Sequence, residues 1–169
     1  MRLTHLFERT IHSITGKDIV RFKKHGTDTD INYDEITVSE TENTKEKIIR
    51  HIHNGHLRIY RTRNIIGDPI EYLKKRSVVG LNWTYDLGDT DKYVETGEKY
   101  IIEVNIKEKY IDWDKTIASN TIRSLRKYNQ DIYLFKGTRL YIDKLWKDNG
   151  TVLEDVDVSG LSGTVFKVR

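Results

Sequence analysis

The most regular alternation of apolar and polar side chains predicts a β-strand in the middle of the chain. In the stretch EKYIIEVNI every second residue from Tyr100 onward is apolar, and these residues share one face of a strand: Tyr100, Ile102, Val104 and Ile106. Shorter apolar stretches predict further strands at residues 78–86, 131–135 and 138–142, and in the closing GTVFKVR. The second and third of these flank Lys136-Gly137, so we expect them to pair or to form one bent strand.

The stretch HNGHLRIYRTR predicts a strand that carries an arginine at an inward position. Leu57 and Ile59 share one face of this strand, and Arg61 is the next residue on that face. A guanidinium is costly to bury without a partner. Two interpretations of Arg61 stay open: a salt bridge to Glu103 or Asp131 on a neighbouring strand, or an anion clamp for phosphate groups at the floor of a cleft.

Helical spacing of apolar residues predicts helices toward the N-terminus. Residues 4–14 carry apolar side chains at this spacing and predict an amphipathic helix. The stretch VSETENTKEKIIRHIHNG predicts a second helix, with Ser39 as its N-cap and Gly55 at its C-terminal end. The segment 114–129 fits either a helix or an extended strand.

Helices that lead and strands that follow favour an α+β fold. We expect a single domain over residues 1–169, with a helical N-terminal part at 1–55 and a β-rich part at 56–169. The formal net charge is only +3 and the basic residues are spread along the chain, so the charge neither requires nor excludes a nucleic-acid partner. There is no apolar run of membrane-spanning length and no signal-peptide pattern, so we expect a cytoplasmic protein with no membrane partner.

Familiar motifs for metals, nucleotides and nucleophiles are missing. The chain has no cysteine, no GxGxxG, no GxxxxGK[ST] and no GxSxG. His51 and His53 would lie about 200° apart on a helix, so solvated histidines are favoured over a metal site. The tryptophans and 10 tyrosines fit core packing or a platform for stacking bases.

Three stretches, taken in chain order, resemble the mono-ADP-ribosyltransferase family of the arginine–serine–glutamate type, especially small, divergent members found in bacteriophages. LRIYRTR resembles the opening strand, which ends in the arginine that contacts NAD. VVGLNWTYD, followed by DTDKYV, resembles the strand with a Ser-x-Ser or Ser-Trp-Thr pattern, and YNQDIYLFKGTRLYI resembles the Glu-x-Glu strand. The resemblance covers about residues 57–143. It implies an ADP-ribosyltransferase-like fold, with two small, mostly antiparallel sheets around a cleft and helices toward the N-terminus.

The resemblance also implies which residues would contact NAD. Arg61 would bind the NAD phosphates and the ribose on the nicotinamide side. Thr84 would orient that arginine and the catalytic acid, and Asn82 stands where the first serine of the pattern usually lies. Trp83, between them, would pack against the nicotinamide.

Asp131 would be the catalytic acid, at a position where the family normally has glutamate. Asn129 would be the residue two positions before it, where the family has glutamate or glutamine. The resemblance implies transfer of ADP-ribose from NAD to a macromolecule, such as a host protein during phage infection, in the host cytoplasm or from the virion. Asn129 leaves the acceptor open between a protein side chain, nucleic acid and water. The alternatives are a catalytically inactive phage protein that inhibits a host factor and a nucleic-acid-binding module.

Overall fold

The computed structural model describes residues 9–14, 17–23, 33–76, 78–80, 82–87, 98–122 and 131–169. The helices within these ranges are α1 (Val38–Ile49), α2 (Pro69–Arg76) and α3 (Trp113–Ile122). None of these helices has the length and apolar character needed to cross a membrane. Helix α3 accounts for the first part of the segment 114–129, for which a helix and a strand both fitted the sequence.

Twelve strands are described in the same ranges. They are β1 (Arg9–Ile14), β2 (Lys17–Lys23), β3 (Tyr33–Thr37), β4 (His56–Ile65), β5 (Val78–Val79), β6 (Asn82–Thr84), β7 (Glu98–Lys107), β8 (Asp131–Tyr133), β9 (Arg139–Leu140), β10 (Lys144–Asp148), β11 (Leu153–Val156) and β12 (Phe166–Val168). Helices and mostly antiparallel strands occur together, which confirms the α+β class.

The central element is a six-stranded sheet with the order β11-β10-β7-β4-β6-β8. Every neighbouring pair in this sheet is antiparallel. Strands β4 and β7 form its longest pair, from His56 opposite Lys107 to Ile65 opposite Glu98. These are the two strands with the clearest alternation in the sequence, and both were predicted.

The six-stranded sheet has one apolar and one polar face because its registers keep apolar residues opposite each other. The face that we name the core face carries Leu57, Ile59, Trp83, Val104 and Ile132, all of them buried. The face that we name the polar face carries Arg58, Tyr60, Thr84, Asn105 and Asp131. Side chains alternate between the faces along each strand, so a residue's position in the register decides its face.

A smaller sheet with the order β5-β12-β9 contributes to the same core. Strand β12 is parallel to β5 and antiparallel to β9. Val79, Leu140, Phe166 and Val168 from this sheet belong to the buried cluster that also contains the core face. The predicted strands 131–135 and 138–142 therefore do not pair with each other, since β8 and β9 lie in different sheets.

The N-terminal part differs from the helical arrangement predicted for residues 1–55. Strands β1, β2 and β3 form a third, antiparallel sheet, so the helix predicted at residues 4–14 is wrong for Arg9–Ile14; residues 4–8 lie outside the described ranges. Thr10 and Ile11 are β-branched, and β-branched residues favour strands. They pair with Arg21 and Val20 across a short connection. This pairing prevails over the helical spacing.

The sequence predicted that helix α1 ends at Gly55, but the helix ends earlier. The helix ends at Ile49, and Asn54 and Gly55 have positive φ angles of 52° and 74°. Two consecutive residues in this conformation form the tight turn typical of an Asn-Gly pair. His53 and His56 flank the turn and exchange backbone hydrogen bonds of 2.8 and 3.0 Å.

Candidate functional site

The three strands that carry the predicted site residues are consecutive in the six-stranded sheet. Strand β4 carries Arg61, β6 carries the Asn-Trp-Thr triplet and β8 begins at Asp131. Their order in the sheet is β4-β6-β8, although β8 is far from β6 along the chain. The fold thus brings the three motifs together. Strand β6 lies between the strand that carries Arg61 and the strand that carries Asp131.

Thr84 and Asp131 are direct cross-strand partners. Thr84 is also opposite Tyr60, so Tyr60, Thr84 and Asp131 form a row across three strands on the polar face. Neighbours in such a row have β-carbons about 5 Å apart. The Thr84 hydroxyl accepts a 3.1 Å hydrogen bond from the Asp86 amide. The register therefore places Thr84 beside Asp131, while Arg61, which Thr84 was also expected to orient, lies on the other face.

Arg61 lies on the core face, opposite Ile102 of β7. Asp131 lies on the polar face, so the pleat places the two side chains on opposite sides of the sheet. Arg61 Nη1 donates a short hydrogen bond to the carbonyl oxygen of Asn82. A β-carbon at Gly80 would lie 2.5 Å from Arg61 Cζ and 2.9 Å from its Nη1. The guanidinium is thus packed against the backbone that leads into β6.

The side chains of Asn82 and Trp83 point to different faces. Asn82 is opposite Tyr133, in the same face as Thr84, and it reaches Arg61 through its backbone carbonyl. Trp83 lies on the core face with 2% of its surface exposed, and its indole N–H donates a 2.8 Å hydrogen bond to the Gly80 carbonyl. The indole is part of the hydrophobic core.

Helix α3 covers the outer edge of β8. The Asn120 side chain accepts a 3.1 Å hydrogen bond from the Asp131 amide and donates a 2.6 Å hydrogen bond to the Asp131 carbonyl. One turn earlier, the Thr116 hydroxyl accepts a 3.0 Å bond from the Tyr133 amide. Residues four apart share a helix face. Thr116 and Asn120 can therefore both bond the edge strand, at Tyr133 and Asp131. The helix satisfies polar groups that an edge strand otherwise exposes.

The same helix holds the Asp131 carboxylate. Ser119 donates a 3.0 Å hydrogen bond from its hydroxyl to Asp131 Oδ2, and Ser119 is only 7% exposed. A hydrogen bond to a carboxylate is stronger than one between neutral groups and fixes the orientation of the oxygens. Asp131 is half-buried and reaches the polar face in a fixed position. Asn129 lies outside the described residues.

Among the described strands of this sheet, Arg58 is the arginine on the same face as Thr84 and Asp131. Its side chain is 62% exposed, and its Nε lies 3.7 Å from Glu103 Oε2. Glu103 Oε1 also accepts a 3.2 Å hydrogen bond from Trp146 Nε1. Burial raises the pKa of the Tyr60 phenol above 10.0, and Glu103 raises this pKa further. Tyr60 is therefore a neutral hydrogen-bond donor beside Thr84. Glu103 therefore faces Arg58. The salt-bridge interpretation of Arg61 had named this carboxylate as one possible partner.

The structure adds residues to the site that the sequence patterns did not identify. Ser119 and Asn120 stood in a segment that fitted helix and strand equally, so their relation to Asp131 had no local signal. Gly80 did have one, because an isolated glycine before a strand marks a close approach of other atoms to the backbone. Comparisons of the chain with family models, curated proteins and solved structures find no match.

Proposed function

We propose that this protein transfers ADP-ribose from NAD to a macromolecular acceptor, with the Asp131 carboxylate as the catalytic group. The observation that supports the proposal is the direct pairing of Thr84 with Asp131, in a sheet where the three motif strands are consecutive. Motifs that are separate in the sequence would not be adjacent in this order by local structure alone. An ADP-ribosyltransferase-like arrangement of the two sheets belongs to the same proposal.

The chemistry of NAD cleavage fits a hydrogen-bonded carboxylate on the polar face. Breaking the nicotinamide–ribose bond develops positive charge on the anomeric carbon, as in glycoside hydrolysis. The Asp131 carboxylate, held by Ser119, would stabilise this charge and accept a proton from the attacking group. The bond from nicotinamide to ribose breaks, the acceptor oxygen or nitrogen bonds to the ribose carbon, and nicotinamide leaves with the bonding electrons.

The phosphates of NAD need a cation on the same face as Asp131. Arg58 meets this condition, since it precedes Tyr60 by two residues and is largely exposed. Arg61 lies on the opposite face against Gly80 and the Asn82 carbonyl. In the proposed enzyme Arg58 binds phosphate, whereas Arg61 acts as a positioning residue that holds the start of β6, and so Thr84, in register. This assignment differs from the role that the family resemblance implies for Arg61.

The test measures nicotinamide release and label transfer with NAD labelled in its adenosine part. Purified protein is incubated with this NAD and a bacterial lysate, and acid-insoluble label is counted. We expect wild type to release nicotinamide, and Asp131→Asn to lose about 100-fold or more in rate while still binding NAD. Asp155→Asn, at an exposed position on β11, is the matched control and keeps the wild-type rate.

The two arginines separate the two phosphate assignments. Arg58→Ala is expected to weaken NAD binding about tenfold without lowering the thermal midpoint of unfolding. Arg61→Ala is expected to lower that midpoint as well. Wild type that releases no nicotinamide, or an Asp131→Asn variant with the full rate, would refute the proposal. NAD binding that depends on Arg61 alone, at unchanged stability, would instead restore the phosphate role to Arg61.

A further inference from the structure

A groove opens beside the polar face where helix α1, the Asn54–Gly55 turn and strand β4 meet. It consists of two adjoining depressions of about 480 and 370 Å³ that share His51 and Tyr85 in their lining. We name it the histidine groove; its larger part is lined by His51, His53, His56, Arg58, Tyr60 and Tyr85. Of these lining residues, the proposed transfer chemistry uses only Arg58.

The smaller part of the histidine groove is positively charged. Lys47, in the last turn of α1, and Arg50, directly after the helix, line it together with Asp86. Arg58 adds a third cation to the lining, and Glu103 approaches it from β7. Within the described part of the chain, the lining cations therefore outnumber the lining carboxylate. With Glu103 counted, three cations face two carboxylates, so the groove carries a small net positive charge, as does the chain as a whole at +3.

Aromatic rings line the same groove. The rings of His51 and Tyr85 are 4.9 Å apart between centroids and tilted by 46°. Tyr60 and the flanking histidines of the Asn54–Gly55 turn complete a lining of flat side chains. Bases stack on tyrosine and histidine rings, whereas phosphates pair with arginine and lysine. Asn54 and Asn105 add amide groups that hydrogen-bond base edges.

Cations interleaved with aromatic rings match the alternating phosphates and bases of a single strand. A lone anion would use the cations but not the rings, and a duplex would hide its bases from the rings. We propose that the histidine groove binds single-stranded nucleic acid. Tyr60 belongs both to the lining of the groove and to the row of Tyr60, Thr84 and Asp131. If the proposed transfer reaction is correct, this strand is the acceptor class; the binding itself does not depend on that reaction.

The experiment measures binding without NAD, so it stays separate from the transfer assay. Fluorescein-labelled 12-nucleotide oligo-dT and oligo-rU are titrated with the full chain, and fluorescence anisotropy reports binding. The titrations are repeated from about 50 to about 200 mM salt, so that the dependence of the binding constant on salt gives the number of phosphate contacts. A hairpin duplex and thymidine monophosphate serve as competitors. We expect single strands to bind and to weaken with salt, and we expect both competitors to compete poorly.

Variants at the groove identify the surface. Lys47→Ala combined with Arg50→Ala is expected to weaken binding about tenfold or more and to reduce the salt slope by about two. Tyr85→Ala is expected to weaken binding about tenfold with an unchanged salt slope, because it removes stacking and not charge. Lys74→Ala combined with Lys75→Ala removes two exposed cations from α2 and is the matched control.

The oligonucleotide titrations test the proposed single-strand site. Loss at the groove variants with an unaffected control supports it, and a preference for oligo-dT or oligo-rU then distinguishes DNA from RNA. Equal loss in groove and control variants, equal binding of duplex and single strand, or no binding by wild type overturns it. Binding without nicotinamide release would keep the groove and refute the transferase, whereas nicotinamide release without oligonucleotide binding would do the reverse.

Discussion

The guanidinium of Arg61 lies in the space where a side chain at residue 80 would begin. A β-carbon on Gly80 would be 2.5 Å from Arg61 Cζ. The same guanidinium donates to the carbonyl of Asn82. The position of the Arg61 guanidinium therefore requires a glycine at residue 80. From this position it holds the backbone that enters β6. The inward-facing arginine of β4 is therefore accommodated against the backbone of residues 80–82.

Gly80→Ala is expected to destabilise the protein by about 1–2 kcal/mol, because the new methyl group displaces Arg61 from the Asn82 carbonyl. In an Arg61→Ala background the same substitution should cost almost nothing. Urea unfolding of the four proteins in this double-mutant cycle measures the coupling. An equal cost in both backgrounds would contradict the contact.

Asn120→Ala is expected to lower the free energy of unfolding by about 2–4 kcal/mol. The amide side chain is 4% exposed and bonds both backbone groups of Asp131 and the carbonyl of Thr116. Its removal leaves buried polar groups without partners. Hydrogen exchange should show the largest change at residues 131–133. Thr116→Val, which removes the bond to the Tyr133 amide, should expose the same segment; unchanged exchange in both variants would contradict the edge cover.

Asp148 should make stability depend on pH in the acid range. The Gly150 amide holds the pKa of Asp148 below its ordinary value of 3.8, and Lys99 at 3.2 Å lowers it further against the effect of burial. A carboxyl whose pKa is lower in the folded state than in the unfolded state stabilises the protein at pH values above its pKa in the unfolded state. As the pH falls below about 3.8, the unfolded chain binds the proton first, so the free energy of unfolding decreases.

Asp148→Asn is therefore expected to lower stability at pH 7 and to flatten its decline below pH 4, as measured by urea unfolding at a series of pH values. The exposed Asp155→Asn provides the control for removing one negative charge. A pH profile of Asp148→Asn that runs parallel to wild type would show that this carboxyl does not contribute to acid unfolding.

Ser119→Ala should affect the proposed reaction through Asp131. Its hydroxyl bond to Asp131 Oδ2 orients the carboxylate, so its loss should lower kcat for nicotinamide release roughly tenfold at an unchanged KM. Ser119→Thr, which retains a hydroxyl, should restore part of the rate. Ser162→Ala, at an exposed position, is the matched control. A change in KM alone would assign Ser119 to substrate binding instead.

Local periodicity was enough to predict the two longest strands. Leu57 and Ile59 alternate with polar residues in β4, and Ile102 and Val104 do so in β7, because each strand buries one face. The N-terminal prediction failed for the opposite reason. Residues 9–14 have apolar residues at helical spacing, and only pairing with residues 17–23 decides for a strand.

The faces of the candidate site could not be predicted from the motifs. The resemblance pointed to Arg61 and Asp131 as candidates, but a shift of one residue in register moves a side chain to the other face. Strands β4 and β6 are in register through a single pair, Tyr60 with Thr84. That pair depends on how the chain returns between β4 and β6, which no short pattern encodes. The helix that holds Asp131 is likewise a tertiary feature.

The parallel pairing of β12 with β5 has a consequence for how the chain folds. Lys167 pairs with Val78 and Val168 with Val79, so this contact closes a loop that spans about half of the chain. Long loops close late, because the entropy lost on closure must be offset by contacts that form together. The six-stranded sheet has shorter connections between most of its strands and can nucleate first. We therefore expect the small sheet to form as a late step, which makes unfolding of β12 the first opening of the native state.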